Sequence, residues 1–173
     1  MHKHLLFAVA LCVAANLTAQ TRSYWNSSPE PQATGERFII PAKYRTLALD
    51  FDAMKSKLAE APMEFTAQAR QGTFRIELPM PDGSFKTFQV EESPVMHPQL
   101  AAKYPDIKTY RGYGIDDGTA TLRMDITPIG FHAMILSAYH SPVFIDPYQR
   151  GDLRHYISYF KEDFVEAQRN KAN

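Results

Sequence analysis

Cysteine is almost missing from this 173-residue chain: its one thiol, Cys12, lies inside the N-terminal apolar run from Leu5 to Ala15. Removal of that run on export leaves no disulfide to brace the protein and no cysteine nucleophile. A surplus of charge is missing as well. Nineteen Lys and Arg balance nineteen Asp and Glu, so no long-range field gathers nucleic acid or an anionic membrane. A membrane helix needs roughly twenty apolar residues, and here Asn16, Thr18 and Gln20 close the run that begins at Leu5. The zinc pattern His-Glu-x-x-His does not occur. His97, His132, His140 and His155 are not spaced to set two imidazoles on one helix face. No serine stands in a Gly-x-Ser-x-Gly elbow, and Gly112-Tyr113-Gly114 lacks the third glycine of a phosphate loop. Covalent and metal-dependent hydrolases are therefore poorly supported, and the expectation is a chain that is not an enzyme and carries no cofactor.

What is present begins with a leader. Met1-His2-Lys3-His4 and the apolar run have the form of a signal peptide over residues 1–20, with cleavage after Ala19 or Gln20. The localisation expected is secreted, periplasmic or extracellular. Leu11, rather than a small residue, precedes Cys12, which argues against a lipid anchor. The remaining chain, with 45% apolar residues, 11 Phe and 9 Tyr overall, suits one core built by packing alone.

Residues 21–37 carry Ser27, Ser28, Pro29, Pro31 and Gly35 without an apolar period, the composition of a flexible arm. Order is expected from Phe38 onward. Tyr44 to Phe51 alternates as a strand, and Asp52 is the expected N-cap of a helix running through Ala61 and stopped by Pro62, with Phe51, Met54 and Leu58 on one face. Thr73 to Leu78 alternates again, and Pro81-Asp82-Gly83 reverses the chain. Phe88 and Val90 share a face of the returning strand. Phe85 has the other parity, so a bulge or an aromatic on the outer face is expected there. A second short helix fits between Ser93 and Pro105, with Pro98 in its first turn and Leu100 and Tyr104 packing inward. Ala120, Leu122, Met124 and Ile126 mark one strand of a hairpin turned by Thr127-Pro128-Ile129-Gly130. Phe131 to Ser137, apolar on both faces except His132, belongs in the middle of a layered fold. Val143-Phe144-Ile145 and Leu153 to Phe160 form the last pair. The fold class expected is α+β: a mostly antiparallel β-sheet of hairpins with two short helices in a single domain over 38–164, followed by a tail or frayed helix at 165–173.

Carboxylates cluster in two places. Asp116-Asp117 lies within Gly114-Ile115-Asp116-Asp117-Gly118, where aspartates ordinarily form turns by bonding local amides. Asp146 and Asp152 flank the segment from Pro147 to Gly151. Calcium binding would need a regular series of oxygen ligands that is not found. Arg150-Gly151-Asp152 matches an adhesion tripeptide but reads as a turn. Tyr110, Tyr113 and Tyr148 offer stacking surfaces for the alternative function, an extracellular β-rich module that binds glycan or protein.

The wording of three stretches narrows the choice. Phe74 to Phe85 with Glu91-Glu92-Ser93, then Gly112 to Asp117, then Val143 to Tyr148 with Tyr156-Ile157-Ser158-Tyr159, together resemble the propeptide region of secreted bacterial reprolysin-like zinc metalloproteases. The likeness covers roughly Phe38 to Phe164. It implies a non-catalytic prodomain that keeps a zinc metalloprotease latent and assists its folding. The partner is then a secreted catalytic domain, in cis or in trans, with no nucleic acid and no membrane after signal cleavage. The zinc belongs to that partner, whose His-Glu-x-x-His-x-x-Gly-x-x-His helix this chain, ending at Asn173, does not carry, as in a truncated or a free-standing propeptide. Latency can be held by filling the open position of the metal or by laying a strand along the cleft. With no thiol left, a carboxylate is the available ligand, since aspartate oxygen binds zinc at about 2.0 to 2.2 Å. Asp116 or Asp117 is the first expected contact, and Asp146 with Tyr148 the second.

Overall fold

A computed structural model describes residues 24–172, with side chains through Arg169; the expected leader at 1–20 lies outside the described residues. Nine strands form one sheet: β1 (Trp25–Ser27), β2 (Arg45–Leu49), β3 (Arg75–Pro79), β4 (Phe85–Glu92), β5 (Lys108–Gly114), β6 (Thr121–Thr127), β7 (Gly130–Leu136), β8 (Val143–Pro147) and β9 (His155–Phe160). Their order is β1-β2-β9-β8-β7-β6-β5-β4-β3, antiparallel at every pairing. Seven consecutive strands therefore form a meander, and the two N-terminal strands add to its last edge.

The sheet curls almost into a barrel. Ser158 Oγ on β9 donates to the Pro79 carbonyl on β3 at 2.9 Å. Arg45 on β2 donates to the carbonyls of Met80 and Ser84, at 3.2 and 3.1 Å, and its guanidinium lies 4.9 Å from the Phe85 ring. These bonds satisfy backbone groups near the end of an edge strand that would otherwise face water or another chain.

Period-2 alternation fills the interior. Leu122, Met124 and Ile126 on β6 face Phe131, Ala133 and Ile135 on β7, all at most 4% exposed, and Phe88 and Val90 on β4 join the same core. Helix α1 (Phe51–Leu58) supplies Met54 and Leu58, both at 0% exposure, with Phe51 packed beside them. Phe85 takes the outer-face option at 37% exposure, under Arg45. The strand expected at the centre, β7, is fifth of nine in the order, although its outer face at His132 and Met134 is only half-buried.

Several expectations are corrected. The N-cap of α1 is Asp50, whose carboxylate accepts from the Ala53 amide at 3.1 Å; Asp52 sits in the first turn, where it favours the positive end of the helix. The arm contains an edge strand: β1 pairs with β2, and Trp25 is 3% exposed. Further along it, the amides of Thr34 and Gly35 donate to Gln149 at 2.9 and 2.8 Å. Leu100 and Tyr104, expected inside, are 45% and 53% exposed, because α3 (Pro98–Ala101) is a single turn on the surface with no buried residue. Two further helices occur among the described residues, α2 (Ala67–Arg70) and α4 (Lys161–Ala172). The latter takes the helical of the two options for the tail, running through residues 165–172, and lays Phe164 on Tyr159.

Candidate functional site

The connection from β5 to β6 is built to hold a carboxylate in the open. Gly114 N donates to the Ala120 carbonyl at 2.9 Å, Ala120 N to the Asp117 carbonyl at 3.0 Å, and Ile115 N to the Thr87 carbonyl at 2.9 Å. A Cβ at Gly114 would collide with the Asp117 carbonyl oxygen, so the tight return needs glycine there. Asp117 staples the turn. One oxygen accepts from the Thr119 amide and hydroxyl, at 2.8 and 2.6 Å, and the other from the Ser137 hydroxyl at 2.6 Å. The Ser137 and Thr119 hydroxyls hold its carboxyl below the ordinary range. Asp117 is thus occupied internally.

Asp116 differs from its neighbour. It is exposed, and one oxygen accepts from the Thr87 amide at 2.8 Å. Among the described residues nothing bonds to the other oxygen. Around it stand Tyr113 at 48% exposure, Ile115 at 44% and Tyr139 at 79%. Asp116, Asp117, Lys86, Tyr139 and His140 rim a hollow of about 240 Å³ at this end of the sheet.

Asp146 and Tyr148 are placed otherwise than expected. Asp146 lies inside β8 rather than in a loop and is 8% exposed, with the Tyr159 hydroxyl donating to it at 2.8 Å. Burial pushes its carboxyl up, against the lowering effect of that hydroxyl. Tyr148, 4% exposed, lies under the Arg37 guanidinium at 3.9 Å. Its hydroxyl donates to Glu30 at 2.9 Å and accepts from Arg37 at 3.0 Å. Tyr44 also donates to Glu30. This cluster straps residues 30–44 to the outer face of β8 and β9. Asp146 and Tyr148 are thus both covered by this chain's own residues. Of the three stacking tyrosines, Tyr110 at 2% is interior by its strand parity and Tyr148 at 4%, just past the end of β8, is covered by the strap; only Tyr113 is open.

A polar row missed in the sequence crosses the outer face of β6, β7 and β8. His132 pairs with Asp125 across the hairpin, Nδ1 to Oδ1 at 3.1 Å, and the register that sets Ala133 opposite Ile145 brings Asp146 to the other side of His132. The Asp125 hydrogen bond raises the imidazole above its ordinary value, against partial burial. Arg123, Phe144 and Ser93 continue the row into a groove of about 490 Å³. Counting back from the Thr127 to Gly130 turn puts 125 opposite 132, so this pair was readable from hairpin arithmetic. The other histidines among the described residues serve locally: His97 accepts from the Gln99 amide, His155 meets Asp152 at 3.1 Å, and His140 contacts the Ser141 carbonyl. Asp152 also accepts two backbone amides, as a turn former does.

No family model, curated protein or solved structure matches this chain. Among the described residues no group of three or more His, Cys, Asp or Glu is arranged to hold a metal ion. The arrangement at the β5–β6 turn leaves an exposed carboxylate, Asp116, on a fixed turn, able to accept a hydrogen bond or meet a positive charge.

Proposed function

We propose that this domain is a non-catalytic prodomain that keeps a secreted zinc metalloprotease latent and assists its folding, in cis or in trans. One observation carries the reading: Asp116 is an exposed carboxylate on a turn fixed from two sides, by Thr87 on β4 and by Asp117 with its hydroxyl donors. A catalytic zinc keeps one position open for water, and a carboxylate oxygen is a competent replacement. A ligand already held in place binds without the ordering cost of a mobile one. Ile115 and Tyr113 supply the apolar flanks that substrate pockets accept. The same surface, offered to the nascent catalytic domain, stabilises its folded form by mass action.

The test uses a mature reprolysin-like zinc protease and a fluorogenic peptide. The domain slows hydrolysis competitively, and Asp116→Ala weakens inhibition by about tenfold or more, the loss of at least one charge-assisted contact. Peptide hydrolysis unaffected by a large excess of the unaltered domain refutes the proposal.

A further inference from the structure

The loop after β7 projects beside Asp116. Tyr139 at its tip is 79% exposed, more than any other large hydrophobic side chain among the described residues. Val95 and Phe65 follow at 75% and 73%, but the Phe65 ring is covered on one side by the Arg111 guanidinium at 4.7 Å. Tyr139 has no ring or cation partner among the described residues. Its backbone is nevertheless tied down. Tyr139 N donates to Ser137 Oγ at 3.0 Å, Ala138 N to Thr119 Oγ1 at 3.2 Å, and the far end of the loop is held where Lys161 N donates to the Pro142 carbonyl at 2.8 Å.

The two ties near Tyr139 lead to one residue. Ser137 Oγ and Thr119 Oγ1 both donate to Asp117, at 2.6 Å each. Asp117 therefore couples the turn that carries Asp116 to the loop that carries Tyr139, and the two side chains rim one hollow. A tyrosine ring in water on a stiff loop gains nothing for the isolated fold. Presented to a concave partner, it adds large, rigid contact area at low entropic cost, the usual composition of a binding hot spot.

We infer that Tyr139 is a specificity anchor that fills an apolar pocket beside the metal of the partner protease, and that Asp117 is the positioning residue setting its distance from Asp116. The inference rests on the prodomain reading above. It predicts a two-pronged plug in which the carboxylate meets the metal and the phenol ring selects the protease.

Inhibition constants of full-length variants against a reprolysin-like protease test it, with thermal midpoints recorded to confirm folding. Tyr139→Ala weakens inhibition by about 30-fold, while Tyr139→Phe, which keeps the ring, stays within about threefold. Ser137→Ala, which cuts the tie from Asp117 to the Tyr139 amide, weakens inhibition by about fivefold, and this effect shrinks in the Tyr139→Ala background to the share that passes through the Asp116 turn. Full inhibition by a folded Tyr139→Ala protein, with Asp116→Ala still defective, overturns the anchor and leaves the prodomain reading intact. Equal Ser137→Ala effects in both backgrounds overturn the positioning role. Absence of inhibition by the unaltered protein overturns both the inference and the reading beneath it.

Discussion

Truncating Trp25 asks whether the N-terminal segment belongs to the domain. The side chain is 3% exposed and meets Phe131 and Tyr156 edge-on, with ring centroids 5.5 and 5.4 Å away. Aromatic side chains of this class bury about 150 to 250 Å², which at about 25 cal/mol per Å² is worth roughly 4 to 6 kcal/mol. Large-to-small aromatic substitutions cost about 3 to 5 kcal/mol in practice, so about 4 kcal/mol is expected for Trp25→Ala. Against a total of about 5 to 15 kcal/mol for an ordinary domain, the variant is left marginal. With a urea slope near 2 kcal/mol per M, the midpoint falls by about 2 M. Far-UV circular dichroism is the suitable probe, because the variant lacks the only tryptophan in the chain. Asn26→Ala is the control: Asn26 is exposed on the same strand, and its loss shifts stability by no more than about 0.5 kcal/mol. A Trp25→Ala midpoint within about 0.5 M of the parent would show that β1 is a loosely attached arm and refute the reasoning.

Other perturbations follow from the same geometry. Leu122→Ala, at 1% exposure, costs about 2 to 5 kcal/mol in urea unfolding, whereas Leu100→Ala, at 45%, stays within about 0.5 kcal/mol; equal losses would contradict the surface position of α3. Gly112→Ala places a Cβ 2.8 Å from the Gln89 carbonyl oxygen and 3.1 Å from Val90 and Leu122. It should cost about 1 to 3 kcal/mol by calorimetry, and a neutral result would mean that β4 and β5 are not so closely paired. For His132 the folded pKa is raised by Asp125 above the ordinary 6.5. The stabilisation is therefore full below that ordinary value and lost as pH rises through the raised one. The gap in thermal midpoint between the parent and His132→Asn should be larger at pH near 5.5 than at pH near 9; a gap independent of pH would remove the ion pair.

How much could be read beforehand depended on the range of the interactions involved. The hairpins were legible: alternation from Ala120 to Ile126, the Thr127 to Gly130 turn and the Pro81-Asp82-Gly83 turn are local patterns, and each recurs at the expected place. The helix carrying Met54 and Leu58 was legible for the same reason, although its cap moved from Asp52 to Asp50 and its end from Ala61 back to Leu58. Asp116 and Asp117 were found as a pair on a turn. Their division of labour was not, since Asp117 is occupied by Ser137, twenty residues away, and Asp116 by Thr87, on a different hairpin.

Taken alone, the order of amino acids settled a mostly antiparallel, hairpin-built sheet in one domain whose single cysteine has no second thiol in the chain to pair with, and it settled which residues share a strand face. Alternation alone cannot say which of the two faces will be covered. That was decided when the sheet curled, when β2 and β9 came up to β3, and when Trp25, the strap at residues 30–44 and α4 settled onto it. Those contacts join residues distant along the chain, so Trp25 in a polar segment became core, Asp146 and Tyr148 went under cover, and Tyr139 was left standing in water beside Asp116. Burial is a property of what arrives from elsewhere, and no local pattern carries it.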